Sequence, residues 1–171
     1  MDLMTPTVTW REAVQTDRAA MQAFTCTTPK PSYPQEHPKE WELQVQGWIR
    51  QLRVPIAGSF TQLGFIGSDL VAVAAFTCTV DQDGPEAFLR AAAISVAHRG
   101  SKDKRLADAM MDQVELTIAR HFGALGHTSA RLRGKIHESN LASQNMAKRA
   151  QWEPWLDVDE GLRDWVLRVE W

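Results

Sequence analysis

The sequence predicts a mixed α/β (α+β) domain in which helices flank a largely antiparallel sheet, in the order β-α-α-β-β-β-α-β-α-β-β. Three observations carry that reading. Phe88 to Val96 is a nearly continuous apolar run, as expected of a strand covered on both faces. Leu106, Met110, Val114, Ile118 and Phe122 recur every four residues, the stripe of an amphipathic helix over 104–122. Ala130, Leu132, Gly134 and Ile136 then alternate with Arg131, Arg133, Lys135 and His137, a strand with one apolar and one basic face.

The remaining elements follow from local chemistry. Val8 to Ala13 reads as a first strand, and Asp17 is placed to cap a helix carrying Ala20, Met21 and Phe24 at helical spacing. Pro29, Pro31, Pro34 and Pro38, with Tyr33 and His37, break the next stretch into a long loop of the kind that carries function. Trp41, Val45, Trp48, Ile49 and Leu52 share one face of a second helix. Phe60 to Ile66 and Leu70 to Val80 flank Gly67-Ser68-Asp69 as a hairpin, and Asp81 to Pro85 is a second turn. Gly123 or Gly126 ends the long helix. A short helix spans 141–150, and Trp155 and the run Trp165 to Trp171 flank Asp159-Glu160-Gly161 as a final hairpin.

The 171 residues are read as a single domain, 1–171, with 44% hydrophobic and 23% charged residues, enough for a sizeable core. A net charge of −2 excludes a global nucleic-acid or membrane-surface signal. Cys26 and Cys78 are too few for a disulfide framework and are read as buried thiols, with no CxxC, HExxH or GxSxG motif and hence no metal site. The N-terminus lacks the charged-then-apolar pattern of a signal peptide, and no apolar run reaches membrane-spanning length. A cytoplasmic location is the expectation.

Two segments about forty residues apart bear on function. Ala93-Ile94-Ser95-Val96-Ala97-His98-Arg99-Gly100 runs from a strand through a basic turn into the long helix. Lys135-Ile136-His137-Glu138-Ser139-Asn140 runs from a strand through a polar turn into the short helix. A helix N-terminus offers unpaired N–H groups and the positive end of a dipole, so each is an anion site in waiting.

Element order and segments together resemble the GCN5-related N-acetyltransferase (GNAT) superfamily, most clearly over 86–171. The family's V-x-P-x-x-R-G-x-G-x-G/A loop corresponds to Ile94 and Arg99-Gly100. Its V-x-x-x-N-x-x-A/S and K-x-G-F pattern corresponds to Ile136, Asn140, Ser143, Met146, Lys148 and Gln151-Trp152. The resemblance implies acetyl-CoA, or another acyl-CoA, as co-substrate, with Ile94, Val96, Arg99, Gly100, Ser101, Lys102, Lys104, Asn140 and Ser143 as its contacts. Where the family has its second and third glycines this chain has Lys102 and Lys104, so the loop gains charge and loses freedom for close backbone approach. Asn140 and Ser143 are equally explained as residues of the helix cap, and Lys148 as a solvated helix face.

The resemblance also implies acyl transfer to an amine of a small molecule or a peptide, and it leaves room for a homodimer. Recognition would fall to the 25–40 loop, the second helix and the last hairpin. The usual catalytic positions hold other residues: Ala147 replaces the tyrosine, while Phe88 (or Arg90 in the alternative register) and Lys135 replace the glutamates. His137 and Glu138, together with His98 and Glu86, are the remaining candidates to move protons. Two readings stay open, an enzyme working mostly by proximity and a catalytically silent acyl-CoA- or partner-binding module. The row Arg131, Arg133, Lys135 is either an attraction for an acidic acceptor or an exposed strand face.

Overall fold

The computed structural model describes residues 7–28, 39–100 and 104–171. Its elements are β1 (Thr9–Glu12), α1 (Arg18–Ala23), α2 (Glu40–Gln51), β2 (Ser59–Ile66), β3 (Asp69–Asp81), β4 (Gly84–Ile94), α3 (Lys104–Ala124), β5 (Ser129–His137), α4 (Leu141–Arg149), β6 (Glu153–Pro154) and β7 (Leu162–Glu170). The order is the expected one. The strands form one seven-stranded sheet, β1-β2-β3-β4-β5-β7-β6, antiparallel everywhere except between β4 and β5. That parallel pair is joined by α3, as a crossover connection requires.

Helices cover both faces of the sheet. The α3 stripe is buried as its spacing implies: Leu106, Met110, Val114, Ile118 and Phe122 pack on Val71, Ala72, Ala74, Phe76, Ala87, Ala130 and Leu132. On the opposite face Met21, Phe24, Cys26 and Ile49 pack against Leu63, Val73, Ala91 and Ala93. Gly126, at φ +88, is the residue that ends α3, and His127 N–H returns to the Phe122 carbonyl. Gly123 remains inside the helix, beneath Trp171.

One irregularity shapes the centre of the sheet. Ala75 pairs with Ala91 and Phe76 with Leu89, so Arg90 is an extra residue without a partner, a β-bulge. An inserted residue reverses the in–out alternation. Ala87 and Leu89 face the α3 side below the bulge, whereas Ala92 and Ile94 do so above it, leaving Ala91 and Ala93 for the α1–α2 side. The expectation of a strand buried on both faces is therefore corrected at Arg90, which is exposed.

Other expectations shift in detail. The central strand starts at Gly84 and stops at Ile94, and Val96 lies in a 3-10 turn, Val96–His98. The reason is a change of partner: Ser95 N–H still reaches the Val71 carbonyl, but Val96 N–H turns to Thr25 O at 2.8 Å. Asp17 does not cap α1. Its carboxylate points back instead, accepting Val14 N–H at 2.8 Å and a two-pronged pair of bonds from Arg11 at 2.6 and 2.7 Å. Those Arg11 bonds, with the Val14 amide, outweigh burial and hold the Asp17 carboxyl below its ordinary pKa. The proline-rich stretch Pro29 to Pro38, with Tyr33 and His37, lies outside the described residues.

The two sides of α3 predict different mutational costs. Phe122→Ala, at a fully buried position, is expected to lower the unfolding free energy in urea by about 3–5 kcal/mol. Leu116→Ala, on the exposed side, is expected to change it by no more than about 0.5 kcal/mol.

Candidate functional site

Parallel pairing of β4 with β5 covers only Glu86–Leu89 against Arg131–Gly134. Beyond that point β4 continues to Ile94 and β5 to His137 without pairing to each other. Two strands that part leave a gap and a row of backbone N–H and C=O groups with no ladder partner on that side. The gap opens into a cleft of about 640 Å³, within the range of small-molecule and cofactor sites.

The cleft passes through the sheet. Ala92, Ile94, Ala107, Met110 and Met146 line it on the α3–α4 side, and Cys26, Trp41, Glu42, Val45 and Ala93 on the α2 side. Asn140, Leu141, Ala142 and Ser143 bring the start of α4 to its wall, with the Leu141 amide bonded to Ser139 O and the Ser143 amide to Asn140 Oδ1. Lys39, Arg99 and Arg149 also line it, Arg99 paired with Glu42 at 2.7 Å and Arg149 with Asp108 at 3.1 Å. An apolar channel with helix-terminal amides and cations suits a long molecule with an amide-bearing arm and an anionic end.

Among the residues singled out from the sequence, Ile94, Arg99, Gly100, Asn140 and Ser143 meet in this one cleft. Val96 is not among its lining residues, and its N–H is bonded to Thr25 O. Ser101 and Lys102 lie outside the described residues, as does the side chain of Lys104. Asn140 is the cap of α4, its Oδ1 accepting Ser143 N–H at 3.2 Å, so the capping explanation of both residues holds at these atoms. Gly100 has φ +143, which glycine alone adopts readily.

Arg99 holds a position the motif alone does not reveal. Its Nη1 donates to Glu42 Oε1 at 2.7 Å and its Nε to the Ile94 carbonyl at 3.2 Å. Glu42, 8% exposed, also accepts the Thr28 N–H at 2.9 Å and the Thr28 hydroxyl at 2.8 Å. Burial pushes the Glu42 pKa up, but the Thr28 bonds and the Arg99 guanidinium overcome it, and the carboxyl sits below its ordinary value. One helical turn on, Gln46 accepts the Cys26 and Thr27 amides at 2.8 and 3.2 Å. Burial raises the Cys26 thiol pKa against the opposing charge of Arg99, and raises that of Cys78, deep in β3, to about 12.

The proton-moving candidates separate. His137 stacks on Trp41 of α2 at 4.8 Å, which ties α2 to the end of β5; Trp41 lines the cleft and His137 does not. Its Nδ1 accepts Ser139 N–H at 3.1 Å, so a neutral ring carries its proton on Nε2. Gly161, φ +76, passes so close that a Cβ there would lie 3.2 Å from that Nε2. Glu138 is exposed; its N–H donates to Gly161 O and its carbonyl accepts from Gln144. Glu86 is bound by Arg131 at 2.5 Å and by Arg133 at 3.4 Å. His98 Nδ1 is 3.0 Å from Ser95 Oγ, within the turn.

The basic row of β5 is largely neutralised. Glu86 faces Arg131 and Arg133, Asp164 lies 4.0 Å from Arg133, and both guanidiniums pack over the Trp155 ring. Of the three, Lys135 is the exposed one. Ala147, at the position of the resembled family's tyrosine, is 2% exposed and belongs to the core.

Sequence reasoning missed Glu42, Trp41, Cys26 and Lys39 as cleft residues. A signal existed: Glu42 and Gln46 form a polar i, i+4 pair beside the apolar stripe of α2, and both are buried.

No family model matches the chain, and no curated protein matches it. Solved structures do. The ribosomal-protein-S18-alanine N-acetyltransferase from Escherichia coli superposes with a TM-score of 0.59 at 12% identity, covering 96% of each chain. The GNAT domain of PAT from S. lividans gives 0.64 at 16% identity, over 94% of this chain and 90% of that one. A probable acetyltransferase from Staphylococcus epidermidis gives 0.65 at 11%, over 96% and 99%. The chain has the fold of the GNAT acetyltransferases.

Two measurements test this account of the site. Asn140→Ala is expected to cost about 1 kcal/mol of unfolding free energy through loss of the cap. Glu42, whose folded pKa lies below its ordinary 4.5, stabilises the fold fully above its unfolded pKa, and that contribution is lost as pH falls through the folded value. Unfolding free energy measured at decreasing pH below about 5 should therefore fall more steeply for the wild type than for Glu42→Gln.

Proposed function

We propose that this chain is an N-acetyltransferase that binds acetyl-CoA, or another acyl-CoA, and transfers the acyl group to an amine of a small molecule or a peptide. The observation that carries the reading is the parting of β4 from β5 at Leu89 and Gly134, with the cleft passing through the gap. The acyl-CoA supplies an activated thioester. The free edge of β4 above Leu89 would bond the amides of the pantetheine arm, as an added strand would. Gly100 and the start of α4 would serve its anionic portion. Ala92, Met110 and Met146 would exclude water around the arm.

Two substrates brought to one gap from opposite faces of a sheet need little more than orientation for rate. The amine, entering on the α2 side, attacks the thioester carbonyl; the C–N bond forms, the C–S bond breaks, the amine loses a proton and the departing sulfur gains one. His137, stacked on Trp41 with its proton on Nε2, would be the candidate to donate a proton to the departing sulfur, the amine losing its own to water. Glu138, exposed at the same turn, is the second candidate through a water. A cytoplasmic location belongs to the same reading, supported by two buried free thiols.

A second reading, an acyl-CoA-binding module without turnover, is favoured by one specific observation. The usual acid and base positions hold Ala147, buried in the core, and Phe88, between Arg90 and Arg133.

Thermal unfolding with acetyl-CoA and with free CoA tests binding. Saturation at about a hundredfold over Kd is expected to add about 2.7 kcal/mol of stability, and Ala107→Trp, filling the channel beside α3, should abolish the shift. No shift at millimolar CoA would sink both readings. Release of free thiol from acetyl-CoA, screened against amines and peptides, then separates them: turnover above background with any acceptor supports the enzyme. Replacing His137 by Gln is expected to lower kcat by about a hundredfold with the acetyl-CoA affinity retained.

A further inference from the structure

We infer that Glu42 is a positioning residue for the anionic end of the acyl donor, acting through Arg99; this rests on the acyl-CoA reading above. Glu42 is buried on α2, yet its partner Arg99 belongs to the turn that leads into α3, far along the chain. Arg99 is held at two points, by Glu42 Oε1 and by the Ile94 carbonyl. Those two anchors close the turn from Ile94 to Arg99 and set the direction in which the chain leaves toward Gly100. Glu42, Ile94, Arg99 and Gly100 all line the same cleft.

The pair stabilises the fold once both charges are present, but packed apolar side chains could do as much. A buried ion pair is commonly no better for folding than packed apolar side chains, whereas it fixes geometry well. The carboxylate here is fully engaged, since Thr28 supplies two donors and Arg99 a third. With its charge matched by Glu42, Arg99 acts on the donor chiefly by holding the turn rather than as a bare cation. Loosening the pair displaces the turn that receives the pyrophosphate while leaving the β4 edge that receives the pantetheine arm.

The test compares acetyl-CoA with S-acetylpantetheine, which lacks the pyrophosphate and the nucleotide. Calorimetry would follow the first and NMR titration the second, at neutral pH, on variants whose native spectra and melting temperatures have been checked. Glu42→Gln keeps the shape but removes the charge. It is expected to raise the Kd for acetyl-CoA about tenfold or more and to leave that for S-acetylpantetheine within about twofold. Arg99→Lys, which keeps a charge but loses the forked contact, should behave alike. The double variant should be no worse than the worse single one, since both act through one contact. An unchanged Kd for acetyl-CoA, equal losses for both ligands, or additive losses in the double variant would overturn the proposal while leaving the acyl-CoA reading intact. Failure of the wild type to bind acetyl-CoA would overturn both.

Discussion

The hydrogen-bond ladder between β4 and β5 ends at Leu89 and Gly134, and most of the molecule is arranged around that ending. Backbone groups that lose their ladder partners must find others or face a solvated or ligand-filled space. The bulge at Arg90 falls at the same level and exchanges the faces of the strand beyond it. Small side chains, Ala91, Ala92 and Ala93, occupy the segment that borders the gap. Together these features turn the centre of a continuous sheet into a passage joining its two faces. The helices are then deployed as walls: α3 and α4 on one side, α2 on the other.

Several arginines that the fold partly buries are matched to carboxylates. Arg11 is matched to Asp17, Arg99 to Glu42, and Arg131 and Arg133 to Glu86. Each pairing ties together elements distant in sequence or steadies a turn, and partly buried guanidiniums without carboxylates would be costly. The consequence for recognition is concrete. The basic row of β5 offers less free positive charge than its sequence advertises, because two of its three cations are already bound and stacked on Trp155. The row is therefore not the exposed strand face expected from the sequence except at Lys135, since Arg131 and Arg133 are partly buried, ion-paired and stacked on Trp155.

The two halves that an acyltransferase would need are unequally represented in this fold. Features that would hold a donor are concentrated: a free strand edge, the start of α4, Gly100 and an apolar channel. Features that would move protons are sparse. Ala147 is sealed in the core, Glu86 is occupied by arginines, and His137 is the polar group joined through Trp41 to the cleft wall. Such an arrangement suits a reaction in which orientation does most of the work.

Ile94, Arg99, Gly100, Asn140 and Ser143, which meet in the cleft, were marked by the resemblance to a family motif; the sequence by itself determined the order of elements, the α3 stripe and the two strand-to-helix turns. These were legible because hydrophobic period and turn chemistry are local properties. Even locally, Asp17 misled: a carboxylate before a helix usually caps it, but Arg11 and the Val14 amide compete for it and win. What only the tertiary structure decided is long-range. Nothing in the run Phe88 to Val96 shows that Arg90 has no partner, because a bulge is defined by the register of the neighbouring strand. Nothing in Arg99 shows that Glu42, fifty-seven residues away, takes its charge. Spacing along the chain specifies which face a side chain occupies, whereas the partner it meets there depends on how separate elements pack, and that is settled only when the sheet and helices close around one another.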